Sequence, residues 1–327
     1  MKARRFFRAV YWDNELRRAD IRRGLGNDLG LYLMNRSLEP VDALLRRKHS
    51  RPDVPIVFIV GAPRSGTTVL YQLIAEHLDV GFINNRMARY FAAPIIGAML
   101  HGRSGGGHGL ALSSEYGRTG GDLSPHEFSW FWHYYGDFRL NDDLNDEELS
   151  QIDWQPVKRA LEGLAGYFER PLVLKNINFV SYQIAWLKQL LPAAKFIWIR
   201  RDPRYTMQSI LRVREDEYGD RRAWWSVRPR DAQDWRDRTP VEQVAHQIDD
   251  ISRAIDAAFS TVPTKDTLTL EYEELMRIPS DTMKRVARFI GADVADENGL
   301  DAIRLEPRNH RTIDDTTWAE IERALAP

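Results

Sequence analysis

The stretch Pro55-Ile-Val-Phe-Ile-Val60-Gly61-Ala-Pro-Arg64-Ser-Gly66-Thr-Thr68 decides how this 327-residue chain folds. Pro55 to Val60 is a continuous apolar run rich in β-branched side chains, the pattern of a strand buried on both faces of a parallel sheet. Gly61 ends the run. From Thr67 the spacing turns helical, with Val69, Leu70, Leu73, Ile74 and Leu78 on one face. A strand, a glycine-bracketed turn and a helix N-terminus aim several backbone N–H groups at one point, which suits a phosphate. Gly61 and Gly66 permit the turn and close backbone approach. Thr67 and Thr68 add hydroxyl donors.

The loop differs from the nucleotide-triphosphate loop Gly-x-x-x-x-Gly-Lys-Ser/Thr in one place that matters. Gly61, Gly66 and Thr68 match, but Thr67 stands at the lysine position and the cation sits at Arg64. An ATP user needs that lysine on its terminal phosphates and an acidic strand end to hold Mg²⁺. The next strands end instead in Lys175 and in Arg200-Arg201. A donor handled by cations without metal fits better than a kinase substrate, and no metal is expected. A P-loop kinase remains the competing enzyme class.

Working outward, Leu172-Val173-Leu174 and Phe196-Ile197-Trp198-Ile199 read as further strands, with a helix over Ser181 to Leu191 stopped by Pro192. Another strand is expected at Thr267 to Leu270. Strands alternating with helices predict an α/β fold of the P-loop type, a central parallel sheet between two helical layers. Residues 1–50 read as a helical N-terminal extension with a break near Gly24–Gly30, and 51–327 as the P-loop domain. Residues 101–125, rich in Gly, Ser and His, read as a loop or lid.

Composition narrows the partners. A net charge of -1 supplies no global field toward nucleic acid, so anion binding must come from local clusters. There is no cysteine, which excludes thiolate catalysis and Cys-ligated zinc and fits a reducing cytoplasm. No run of about 18 apolar residues suggests a transmembrane helix, and the Arg-dense start, Met1 to Arg23, is not a secretory signal. Phe6, Phe7, Val10 and Tyr11 could form the apolar face of a basic helix there. Such a helix packs on the domain or lies against a membrane surface.

A second anion site is legible in Lys195 to Leu211. A strand ends in Arg200-Arg201, Asp202 can cap the next helix, and Pro203 suits its first position. Arg201 at the strand's C-terminal end and Ser209 on the helix can converge on one phosphate, where open α/β sheets bind ligands. Together, Gly-Ala-Pro-Arg-Ser-Gly-Thr-Thr68 and Arg201-Asp-Pro-Arg…Ser209 resemble the two donor motifs of sulfotransferases that use 3'-phosphoadenosine-5'-phosphosulfate (PAPS). The bacterial and tyrosylprotein-sulfotransferase-like branch is the nearest in pattern, with Arg in place of lysine in the loop. Thr269-Leu-Glu-Tyr272-Glu-Glu-Leu275 and Phe289-Ile-Gly-Ala292 resemble that family's late segment. The resemblance spans about residues 55 to 292. It implies that Arg64, Ser65, Gly66, Thr67 and Thr68 hold the 5'-phosphosulfate, that Arg201 and Ser209 hold the 3'-phosphate, and that Tyr272 lies near the nucleotide.

Sulfonate transfer builds negative charge on the leaving oxygen, so a cation is needed there. Arg64 and Lys175 are the candidates, and Lys175 resembles a family lysine although Asn176-Ile177 follows it here. The acceptor hydroxyl needs a general base. Related branches place a Glu shortly after the phosphate helix, where this chain has Gly81-Phe-Ile-Asn-Asn-Arg86. That departure keeps a non-catalytic nucleotide-binding relative in view. Glu127 in Asp122-Leu-Ser-Pro-His-Glu-Phe is the first choice, read as lying in the first turn of a helix opened by Ser124-Pro125. His126 is the second, and His101 and His108 follow. His77 reads as a helix-end residue. Trp224-Trp225…Trp235 reads as core packing or a lid, or as a wall for a glycan, lipid or small-molecule acceptor.

Overall fold

In the computed structural model the described residues are 25–102, 107, 109, 114–115, 118–136 and 144–326. The basic stretch Met1 to Arg23, with its proposed apolar face, and His108 lie outside them.

Five strands form one parallel sheet in the order β2-β5-β1-β6-β7. They are β1 (Ile56–Val60), β2 (Gly81–Phe82), β5 (Leu172–Lys175), β6 (Ala194–Arg200) and β7 (Thr267–Glu271), while β3 (Ser114–Glu115) and β4 (Arg118–Thr119) form a separate antiparallel pair. The quoted strand is central: Ile56 is in register with Leu172 on one side and Ala194 on the other. All of its residues are buried, as its unbroken apolar run requires.

Alternate side chains feed two cores. Ile56, Phe58 and Val60 join Leu174, Phe196, Leu161 and Leu164 on one face. Val57 and Ile59 join Leu70, Leu73, Ile74, Val286 and Ile290 on the other. Period-two alternation of a strand against helices on both faces produces the three layers. Truncating a core residue such as Phe58 would cost about 3–5 kcal/mol.

The phosphate-loop helix α2 (Thr67–His77) begins where the spacing changed, and Leu70, Leu73, Ile74 and Leu78 are fully buried. His77 is its last residue, as read. The helix α5 (Pro203–Tyr218) starts as expected, with Pro203 in its first turn and the Asp202 side chain accepting from Arg204 N.

Three local expectations change. The helix α1 (Leu25–His49) runs through Gly30 without a break, because buried polar anchors hold it. Asn35 Nδ2 donates to Arg89 O, its Oδ1 accepts from Ala92 N, and the Asp42 carboxylate accepts from Ile96 N. Arg46 pairs with Asp42 and donates to Tyr135 Oη. The helix expected over Ser181 to Leu191 is shorter, Ile184–Leu190, and a separate short helix, Ile177–Val180, precedes it, capped by the Asn176 side chain accepting from Phe179 N. The third change concerns Glu127. The helix α4 spans Ser129–Gly136, so Ser124-Pro125 does not open it and Glu127 precedes it. Instead, Asn84 bridges Pro125 in antiparallel fashion and His126 N donates to Ile83 O. The segment is pinned as an extended partner of the chain leaving β2, and Phe128 turns it at a left-handed φ of 57°.

Candidate active site

The site lies at the C-terminal ends of β1, β5 and β6, where the strands hand over to loops. The first loop is built as its glycines demand. Gly61 has φ 150°, and a Cβ there would sit 2.7 Å from Ile199 O; Gly66 has φ 103°, and a Cβ would sit 2.6 Å from Tyr272 Cδ2. Neither position tolerates a side chain without movement. Arg64 itself has a left-handed φ of 68°, a conformation disfavoured for a residue with a Cβ and common at ligand-clamping turns. Ser65 is buried, and its hydroxyl has no hydrogen-bond partner among the described residues. A buried orphan hydroxyl inside a phosphate-shaped turn fits an anionic group that accepts from it.

Arg64 links the two motifs. Its Nε donates to Ser209 Oγ at 2.9 Å, and its carbonyl accepts from an Arg201 guanidinium nitrogen at 3.0 Å. Arg201 also lies over the Tyr272 ring, 4.6 Å from its centroid, a cation–π contact. Burial lowers the Arg201 pKa from its ordinary value, opposed by Tyr272, Glu273 and Asp202. Arg64, Ser65, Gly66, Arg201, Ser209 and Tyr272 therefore meet in one place.

On the other side of the loop, Lys175 Nζ donates to Thr68 Oγ1 at 2.8 Å and pairs with Glu127 Oε1. Lys175 is 3% exposed and the Glu127 side chain 35%. The second Glu127 oxygen, Oε2, has no partner among the described residues. Asn176 Nδ2 adds a contact to Glu127 O at 3.3 Å. Thr67 is buried at the helix start.

His126 adjoins this pair, but its Nδ1 accepts from Phe128 N at 2.8 Å. That bond assigns the ring proton to Nε2. Burial lowers the His126 pKa, with Glu127 acting in the opposite sense. The ring is thus held as a neutral donor, ill-suited to taking a proton. His101 sits at the end of α3 (Pro94–His101), its ring 5.6 Å from Tyr90 and its carbonyl bonded by Asn84 Nδ2. The tryptophans are half-buried: Trp224 lies under the buried Arg214 guanidinium, and Trp235 stacks on His246 at 4.0 Å.

Sequence reasoning missed one part of the site. Residues 308–312 close over the second motif. Arg201 donates to Asn309 Oδ1 and Arg308 O, Arg308 N donates to Tyr272 Oη, and Gln208 bonds His310 O and Thr312 N. The segment lies beyond the resemblance and has no motif. Its basic composition, Pro-Arg308-Asn-His-Arg311, was the only available signal.

A parallel five-stranded sheet between helical layers, with a Gly-bracketed loop between its central strand and helix, defines an α/β protein of the P-loop type. The chain belongs to the sulfotransferase family, which it matches over residues 55–296, and so to the transferase enzymes. The structure of sulfotransferase STF1 from Mycobacterium tuberculosis H37Rv is similar over 99% of this chain and 97% of that one, at 16% identity and a TM-score of 0.52. At that identity the likeness is one of fold. Sulfotransferase STF9 from Mycobacterium avium aligns over 84% of this chain and 68% of that one, at 16% identity and a TM-score of 0.45. The sulfotransferase domain of the Synechococcus PCC 7002 olefin synthase aligns over 84% and 88%, at 17% identity and a TM-score of 0.44. A search of curated proteins finds no match to the chain. Among the described residues no helix is long and apolar enough to cross a membrane.

Proposed function

We propose that this transferase moves a sulfonate group from PAPS to a hydroxyl of a glycan, lipid or small-molecule acceptor. The observation that carries the reading is the junction of the two anion motifs through Arg64, bonded to Ser209 by its side chain and to Arg201 by its carbonyl. Two phosphate-type sites about one side chain apart suit a nucleotide with anionic groups at both the 3' and 5' positions. The orphan Ser65 hydroxyl and the two glycines that leave no room for a Cβ support a tightly held 5'-phosphosulfate.

Lys175 and Glu127 divide the chemistry. The acceptor oxygen forms its bond to sulfur while the bond from sulfur to the 5'-phosphate oxygen breaks. The electron pair leaves with 3',5'-bisphosphoadenosine, and the acceptor proton goes to Glu127 Oε2. Lys175 and the helix N-terminus bearing Thr68 offset the charge on the leaving oxygen. A base adjoining the cation also answers the absence of a carboxylate in Gly81 to Arg86. The strand-like pairing of Ile83 to Arg86 with Asp122 to His126 delivers one from another part of the chain. That delivery favours an enzyme over a non-catalytic relative. The cysteine-free sequence supports a cytoplasmic setting.

Isothermal titration of 3',5'-bisphosphoadenosine against ATP with Mg²⁺ tests the donor. Tighter binding of bisphosphoadenosine is expected. A preference for ATP would return the protein to the kinase-like class.

A further inference from the structure

A cleft of about 460 Å³ opens between α1 and the chain that leaves β2. Leu31 and Met34 of α1 form one wall; Arg86, Arg89, Tyr90 and His101 form the others. Asn85 and Asp122 complete the lining, and the pairing of residues 83–86 with 122–126 leads from there to Glu127. β2 pairs with β5, whose last residue is Lys175, and neighbouring strands are about 5 Å apart. Asn85 and Arg86, which continue from β2, therefore begin the cleft within about 10 Å of the Lys175 backbone.

The walls are built rather than incidental. Asn84, fully buried, donates to His101 O and accepts from Met87 N. Asn35, also fully buried, donates to Arg89 O and accepts from Ala92 N. Two buried asparagines thus knit α1, the 84–92 turn and the end of α3 into one frame, and satisfied buried polar groups of this kind fix geometry. Within that frame the charge is unbalanced. Arg86 is paired with Asp122 at 2.5 Å. Arg89 is exposed, and its guanidinium has no partner among the described residues.

We infer that this cleft binds an anionic group of the acceptor, a phosphate or carboxylate held by Arg89 with Arg86 beside it. The apolar part of the same molecule lies on Leu31 and Met34. The inference rests on the sulfotransferase reading and narrows its acceptor to an organic anion that also carries a free hydroxyl. Arginine presents a planar fork matched to either oxyanion, and the aliphatic wall favours an ester or acid with an apolar body over inorganic phosphate.

Phenyl phosphate is the probe, titrated into the full chain saturated with 3',5'-bisphosphoadenosine so that the donor loop is filled. Binding to the wild type is expected, weakened about ten-fold or more in Arg89→Gln and by a smaller factor in Arg89→Lys, which keeps the charge but not the planar fork. Uncharged benzyl alcohol should not distinguish the three proteins, and bisphosphoadenosine affinity should be equal in all, which also shows that the variants fold. In the wild type, phenyl phosphate should shift the His101 ring resonances. Equal phenyl phosphate affinity in wild type and Arg89→Gln, or unshifted His101 resonances, would overturn the inference. Should bisphosphoadenosine not bind, the donor reading fails by itself. The same titrations without it still decide the cleft.

Discussion

Replacing Glu127 by Gln keeps the shape of the side chain and removes its charge, which separates two consequences of the Lys175–Glu127 pair. The first is stability. Lys175 is 3% exposed and has Glu127 and the neutral Thr68 hydroxyl as partners. Breaking a fully buried ion pair from one side costs about 3–5 kcal/mol. The Glu127 side chain is 35% exposed, and water on its open side reduces that to about 1–3 kcal/mol. The melting temperature should fall by a few degrees for a chain of this size. The second consequence is turnover, which should fall about 10²-fold or more if Oε2 takes the acceptor proton. Affinity for bisphosphoadenosine should hold, because the Arg64, Arg201 and Ser209 wall is untouched. The assay is release of bisphosphoadenosine from PAPS across a panel of hydroxyl acceptors, beside calorimetric binding and thermal denaturation. A variant that loses stability yet turns over within two-fold of wild type would refute the base assignment and leave Glu127 as the partner of a buried lysine. A variant unchanged in both would show that the pair itself contributes nothing.

Three further outcomes test other parts of the site. Ser209→Ala removes the acceptor of the Arg64 Nε bond and should weaken bisphosphoadenosine about ten-fold; adenosine 5'-phosphate, lacking the 3'-phosphate, should lose much less, and equal losses would count against the 3' assignment. Gly66→Ala puts a Cβ 2.6 Å from Tyr272 Cδ2 at a φ of 103°, so denaturant unfolding should show a loss of about 1–3 kcal/mol together with weakened bisphosphoadenosine binding. Burial lowers the His133 pKa to about 4 from its ordinary 6.5. The unfolded chain therefore takes the proton first, and this contribution to stability is whole above pH 6.5 and lost as pH falls toward 4. It amounts to about 3 kcal/mol, and His133→Gln should flatten the fall by that amount in unfolding measured across the window.

How much was legible depended on how local each signal was. The strand Pro55 to Val60, the loop to Thr68 and the helix after it could be read because burial on both faces, a turn and an amphipathic helix each leave a short-range pattern. Asp202 and Pro203 announced a helix start by the same logic. Glu127 meets Lys175 but lies ahead of the helix expected to carry it. Ser124-Pro125 looks like a helix opening, yet pairing with Ile83 to Arg86 competes for the same backbone and wins. β2 is too short to show periodicity, and α1 overrides its glycine through the distant partners of Asn35 and Asp42.

The sequence by itself determined the P-loop type of sheet, the two anion motifs and the arginine in place of the loop lysine, since these are written in adjacent residues. Only the tertiary structure decided that Arg64 joins the motifs, that Glu127 meets Lys175, that residues 308–312 close on Arg201, and that Arg89 faces a cleft. Each of those depends on chain segments dozens of residues apart being brought together by the packed sheet, and no local pattern encodes a meeting of that kind.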